Sequence, residues 1–229
     1  STATDTVVVK EGDTSSIVEL FRLLRTNLQF LLTAKDSKVV LLTSSVSGEG
    51  KSFISINLAM SLSLLNKKVV LVGLDIRNPR LMDYMKVRSK IGMTSYLASN
   101  SMTESEIIVP STYSPNLDVI FSGPIPPNPS ELLLSDRLDH LFAYLREQYD
   151  YVIVDSAPVG MVSDTFSLMR IADATLYVCR ANYTHKDHIM YVNELVATNK
   201  LKNVALVING TTARQGYGYG YGAHMQKKK

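Results

Sequence analysis

Apolar side chains recur every three or four residues near the start of the chain: Ile17, Leu20, Phe21, Leu24, Leu28, Leu31 and Leu32 fall on one face at helical spacing. This predicts an amphipathic helix reaching Leu32. Further on, the pattern changes to short apolar runs rich in β-branched residues, at 39–43, 69–72, 117–121, 152–154, 174–179 and 204–208. Runs of this length without polar alternation suit strands covered on both faces. Helical periodicity returns between them, over 52–65, 130–149, 162–171 and 185–199. Strands alternating with helices predict an α/β fold with a doubly wound, mostly parallel sheet, because each parallel neighbour needs a crossover that packs back on a sheet face. Asn128, Pro129 and Glu131 fit the N-cap, N1 and N3 positions of a capping box opening the helix after a proline-rich loop. Residues 1–15 are polar and unpatterned, so they are expected as an N-terminal extension to a domain over 16–210. Residues 211–229 follow the last strand as a flexible tail.

Composition narrows the function classes. With 229 residues, 45% hydrophobic and 20% charged, the chain suits one large α/β domain or two small ones. The formal charge of +3 is slight and partly terminal, at Lys227, Lys228 and Lys229, so nucleic acid is not an expected partner. The single cysteine, Cys179, sits in an apolar run as a small buried hydrophobe, which fits a reducing compartment. No apolar stretch approaches the ~20 residues that span a bilayer, and the first residues lack the pattern of a signal peptide. A soluble chain is expected, or a piece of a longer protein whose membrane segments lie upstream, since there is no initial Met.

The strongest chemical signal is the run from Thr43 to Ser52, Thr-Ser-Ser-Val-Ser-Gly-Glu-Gly-Lys-Ser, between a predicted strand and a predicted helix. That context makes a P-loop. Ser47, Gly48, Glu49, Gly50, Lys51, Ser52 and Phe53 are the candidate nucleotide-binding residues. The glycines let backbone N–H groups turn around phosphates, Lys51 neutralises the β- and γ-phosphates, and the Ser52 hydroxyl is a Mg²⁺ ligand. Ser45 stands where the first glycine usually lies. Asp75 and Asp155 each close an apolar strand and so reach the carboxyl edge of the sheet, where ligands bind in such folds. Both are candidate metal-binding and catalytic residues. Arg77 is a further catalytic candidate for bidentate phosphate contact, or else a solvated arginine.

In this order the motifs resemble the bacterial tyrosine kinases of capsule and exopolysaccharide assembly, relatives of the Min and Par P-loop ATPases. The resemblance rests on Gly48-Glu49-Gly50-Lys51-Ser52, Leu74-Asp75-Ile76-Arg77-Asn78-Pro79, the run from Gly123 to Leu133, Val154-Asp155-Ser156-Ala157-Pro158, Val207-Ile208-Asn209-Gly210 and the tyrosine-rich tail. It implies a Min/Par-like P-loop fold, MgATP as cofactor, and protein tyrosine as acceptor. Val46 occupies the position of the additional lysine of Min and Par proteins, which separates this chain from them; a nucleotide-dependent assembly switch is the alternative function. Glu19, Arg22 and Arg25 match the Glu-x-x-Arg-x-x-Arg motif that the family uses in a ring-shaped oligomer, an octamer. Gly73 departs from the family's Asp-x-Asp-x-Arg pattern, leaving Asp75 or Asp155 to face the incoming tyrosine, or no strong base at all. The resemblance further implies a transmembrane polysaccharide co-polymerase as activator, on the same chain or as a separate subunit. A cognate phosphotyrosine phosphatase and a cytoplasmic location at the inner face of the bacterial plasma membrane also follow from it.

Tyr217, Tyr219 and Tyr221 alternate with glycines beyond the last strand, where they build no core. Extended, tyrosines two apart project to the same side at ~6–7 Å. They are the expected phosphoacceptors.

Overall fold

In a computed structural model that describes residues 5–161 and 164–211, seven strands form one sheet in the order β3-β4-β2-β5-β1-β6-β7. They are β1 (Val39–Ser44), β2 (Val69–Gly73), β3 (Val109–Pro110), β4 (Leu117–Ile120), β5 (Tyr151–Asp155), β6 (Ala174–Arg180) and β7 (Val204–Asn209). All neighbours pair in parallel except the short edge strand β3 on β4. The register sets Leu42 of β1 and Gly73 of β2 on either side of Asp155, so three strands end level at one edge. Chain direction reverses its progress across the sheet here, between β1 and β2, and the crevice that results is where open α/β sheets bind ligands.

Helices cover both faces. The P-loop helix α2 (Lys51–Ser63) and the amphipathic α1 (Ser16–Leu28) lie on one side, where Ile56, Leu58, Leu62, Phe21 and Leu28 pack on Leu42, Leu71 and Ile153. On the other, α6 (Asp136–Gln148) and α8 (Lys186–Ala197) bring Leu138, Leu141, Leu145, Val192 and Leu195 onto Leu41, Val72 and Val154. Leu41 and Leu42 thus serve opposite cores, both fully buried. This is why the strand reads as continuously apolar rather than alternating. Short helices α3 (Leu81–Met85), α4 (Met93–Ala98), α5 (Pro129–Leu133) and α7 (Asp164–Ser167) fill the periphery.

Several expectations change. The first helix stops at Leu28; Leu31 and Leu32 still reach the core because both their amides bond back to the Leu28 carbonyl in a closing turn. The helix expected over 130–149 is two, α5 and α6, broken where Ser135 adopts an extended backbone as the N-cap of α6. Asn128 and Pro129 do hold N-cap and N1 of α5, but the capping box is not formed: Asn128 Nδ2 donates to the Glu131 carboxylate at 2.8 Å instead. Of the span expected over 162–171, residues 162 and 163 lie outside the described residues, and the rest is α7 followed by a 3₁₀ turn, Leu168–Arg170. Within 1–15, Val7 and Val9 are buried in the α2 face of the core. Fully buried Asn57 of α2 ties them down, its Oδ1 accepting from the Val8 and Val9 amides at 2.8 and 3.1 Å and its Nδ2 donating to the Thr6 carbonyl. Two valines are too few to make a readable period.

Candidate nucleotide site

Residues 45–50 turn the chain from the end of β1 into the first turn of α2. Gly48 and Gly50 have φ of +87° and +99°, a region that side chains disfavour, so glycine is required at both. Ser45 is not among the positive-φ residues, which is why the usual first glycine is dispensable; its hydroxyl bonds the Tyr177 hydroxyl at 2.9 Å inside the core. The loop opens onto a cleft of about 590 Å³, lined by Ser47, Gly48, Gly50, Lys51, Ser52 and Phe53, with Asp75 opposite. The N-terminal turn of α2 adds its unpaired amides and positive dipole end to the charge of Lys51.

Glu49 is the exception within the loop. Its side chain is fully buried and turned inward, where one oxygen accepts from the Val46 amide at 2.9 Å and the other from the Thr184 hydroxyl. It therefore shapes the loop rather than lining the cleft. Phe53 forms the cleft wall and meets Phe21 of α1 edge to face at 5.9 Å.

Asp155, buried at the end of β5, accepts a 2.6 Å hydrogen bond from the Ser52 hydroxyl on Oδ2, while its Oδ1 is buried without any partner. Burial raises its pKa to about 6, although Lys51 and Ser52 favour the charged form. Asp75 is likewise raised, by burial first, against the Asn78 amide at 3.0 Å and the nearby Lys51. A desolvated carboxylate with an orphaned oxygen beside a serine hydroxyl suits a hard cation with oxygen ligands. Among the described residues no cluster of three carboxylate, histidine or cysteine groups forms a self-sufficient metal site, so an ion here would be shared with phosphate oxygens, as Mg²⁺ usually is.

The structure does not bring Arg77 into the cleft. Its guanidinium forks onto Asp164, with Nε at 2.8 Å, and onto Ser130 at 3.0 Å, binding the β2 edge to α5 and α7. The planar fork finds its carboxylate within the protein. In its stead Arg80, Arg180, Tyr183 and Asn209 line the cleft. Sequence reasoning missed Arg180 and Tyr183; the signal was their position at and just past the carboxyl end of β6. Of the helix α1 trio, Glu19 and Arg22 pair with each other, Arg22 also reaches the Asp13 carbonyl at 2.9 Å, and Arg25 donates to the Ser61 carbonyl at 2.6 Å. Gly73 packs against Ser122, so closely that a Cβ there would sit 2.8 Å from the Ser122 hydroxyl. Tyr217, Tyr219 and Tyr221 lie outside the described residues.

Residues 37–205 match the AAA_31 family, an AAA domain. The chain is 36% identical over 203 residues to the tyrosine-protein kinase YwqD of Bacillus subtilis, covering 89% of this chain and 85% of that one. It is 29% identical over 211 residues to the tyrosine-protein kinase Etk of Escherichia coli, but spans only 29% of that protein's length. The solved kinase domain of that enzyme superposes with a TM-score of 0.79 over 91% of this chain and 82% of that one, at 29% identity. The chimerical protein CapA2B2 gives 0.80 over 88% of each, at 32% identity. The septum site-determining protein MinD of Pyrococcus horikoshii, at 17% identity and a TM-score of 0.61 over 78% of this chain and 73% of that one, shares the fold alone. Together with the P-loop cleft and its paired carboxylates, these likenesses show that the chain belongs to the bacterial tyrosine-protein kinase family, on a P-loop nucleotide-binding fold.

Proposed function

We propose that the chain transfers the γ-phosphoryl group of MgATP to its own C-terminal tyrosines, Tyr217, Tyr219 and Tyr221, from one subunit to the next in a ring. The observation that supports the tail as acceptor is where the described chain ends; transfer between subunits rests on the resemblance to the ring-forming kinases and on the Glu19, Arg22 and Arg25 motif. Asn209, the last residue of β7, lines the nucleotide cleft, and Gly210 and Thr211 follow directly. The last described strand thus ends beside the cleft, and seven residues of chain, from Gly210 to Tyr217, can span at most about 25 Å. In this reading Lys51 would neutralise the β- and γ-phosphates and Ser52 and Asp155 would hold magnesium, leaving Asp75 across the cleft to face the incoming tyrosine. When bound there, magnesium would supply charge neutralisation on the transferring group. The tyrosine oxygen attacks the γ-phosphorus as the bond to the β–γ bridging oxygen breaks, and the phenolic proton passes to Asp75, whose carboxylate lines the cleft. Asp155 is poorly placed for that step because it lies beneath Ser52. A loose transition state asks mainly for positioning and electrostatics, so Gly73 in place of a second aspartate is compatible with turnover.

The wider setting follows from kinship and remains part of the proposal. The chain spans most of YwqD but under a third of Etk. It is thus compatible with a separate kinase subunit or with the C-terminal part of a membrane protein, at the cytoplasmic face of the plasma membrane and activated by a polysaccharide co-polymerase. No helix among the described residues is long and apolar enough to cross a membrane. Each phosphate adds roughly −1.5 to −2 charges to the tail, which favours its release and ring disassembly until a phosphatase removes them. The output is control of capsule or exopolysaccharide synthesis and export. Mixing a Lys51→Met chain that keeps its tail with an active chain lacking residues 216–229 tests the transfer. Phosphate should appear on the Lys51→Met chain; none appearing, while the intact active chain labels itself, refutes transfer between subunits.

A further inference from the structure

Three consecutive carbonyls of the phosphate-binding loop each accept a hydrogen bond from a side chain of the β6–β7 region. The Tyr183 hydroxyl donates to the Ser47 carbonyl at 2.9 Å, Arg180 Nη1 to the Gly48 carbonyl at 2.9 Å, and Asn209 Nδ2 to the Glu49 carbonyl at 3.0 Å. No cis peptide occurs among the described residues, and in a trans peptide the carbonyl of one residue and the N–H of the next point in opposite directions. Fixing these three carbonyls toward the β6–β7 side chains therefore aims the N–H groups of Gly48, Glu49 and Gly50 away from them, into the turn. That inner side is where a P-loop holds phosphate.

The holding side chains are themselves anchored. The turn after β6 is closed by the Tyr183 and Thr184 amides on the Arg180 carbonyl, and the Thr184 hydroxyl joins the Arg180 amide to the buried Glu49 carboxylate. The glycines make room for the arrangement as well as for the backbone angles. A Cβ on Gly48 would lie 3.0 Å from the Tyr183 oxygen, and one on Gly50 only 2.0 Å from Asn209 Nδ2.

We infer that Tyr183, Arg180 and Asn209 are positioning residues that preset the phosphate cradle by holding the loop carbonyls, and so tune affinity for the phosphates rather than for the nucleoside. This rests on the nucleotide-site reading above. Tyr183 is 52% exposed, so Tyr183→Phe removes the hydroxyl without disturbing a core. Binding of MgADP and of adenosine is measured for the wild type, Tyr183→Phe, Tyr183→Ala and Asn209→Ala. Losing one neutral hydrogen bond from the cradle should weaken MgADP by roughly fivefold, with adenosine unchanged. Unchanged MgADP affinity in both Tyr183→Phe and Asn209→Ala overturns the inference. So does an equal loss for MgADP and adenosine in Tyr183→Ala with Tyr183→Phe behaving as wild type, since the ring would then act on the nucleoside. A wild type that binds no MgADP would fail the nucleotide reading itself, a result distinct from either.

Discussion

Asp155 is costly to the fold, a cost that the proposed metal site would explain. Its orphaned, desolvated Oδ1 contributes nothing to the nucleotide-free protein, and burial works against its charge. Asp155→Asn should therefore reduce tyrosine phosphorylation by about 10²-fold or more, as losses of transition-state electrostatics do. The melting temperature of the nucleotide-free protein should rise or hold, and a clear fall would show that the carboxylate is structural. Gly73 carries the opposite lesson. With Ser122 Oγ, Leu81 Cδ1 and the Ser122 amide all within 3.2 Å of where its Cβ would be, introducing an aspartate forces a shift in a packed edge. Gly73→Asp should destabilise by about 1–3 kcal/mol in denaturant titration, and an unchanged midpoint would contradict the packing argument. The placement of both aspartates at the sheet edge was legible in the sequence because each ends an apolar run. The fate of Arg77 was not, because its partner Asp164 lies far along the chain and only the fold brings them together.

Among the elements, strands were the most readable. Residues such as Leu41 and Leu42, buried on opposite faces, write a continuous apolar run that no polar period confuses. The helices α3 and α4 were unreadable because five or six residues hold too little periodicity, and the α5–α6 break was hidden because both pieces keep apolar residues in the same phase. The junction of β1, α6 and β6 was likewise invisible. Asp173 there accepts from the Lys38 and Val39 amides, both at 2.8 Å, and from both terminal nitrogens of Arg146. Burial opposes its ionisation, yet Arg146 and the two amides outweigh burial and leave its pKa below the ordinary value. Its contribution to stability is therefore present above the unfolded aspartate pKa and is lost as pH falls through the lower folded value. Asp173→Ala should cost about 2 kcal/mol or more near neutrality, since it strands two amides and a guanidinium. Its stability should also fall less steeply with acid than that of the wild type; parallel acid unfolding curves would refute the role given to this junction.

For the whole molecule, the sheet order places β1, β2 and β5 side by side and level, so Lys51, Ser52, Asp75 and Asp155 meet although Lys51 and Asp155 are about a hundred residues apart in the chain. The same topology ends β7 at the cleft, where Asn209 lines it. The most direct test is the mass of the purified chain before and after incubation with MgATP, with peptide mapping and a Lys51→Met control. The account predicts gains in steps of about 80 Da, one per phosphate, confined to the peptide carrying Tyr217, Tyr219 and Tyr221 and absent from the control. Release of ADP with no gain of mass on that peptide, under conditions where MgATP is bound, would contradict it and leave a nucleotide-dependent switch.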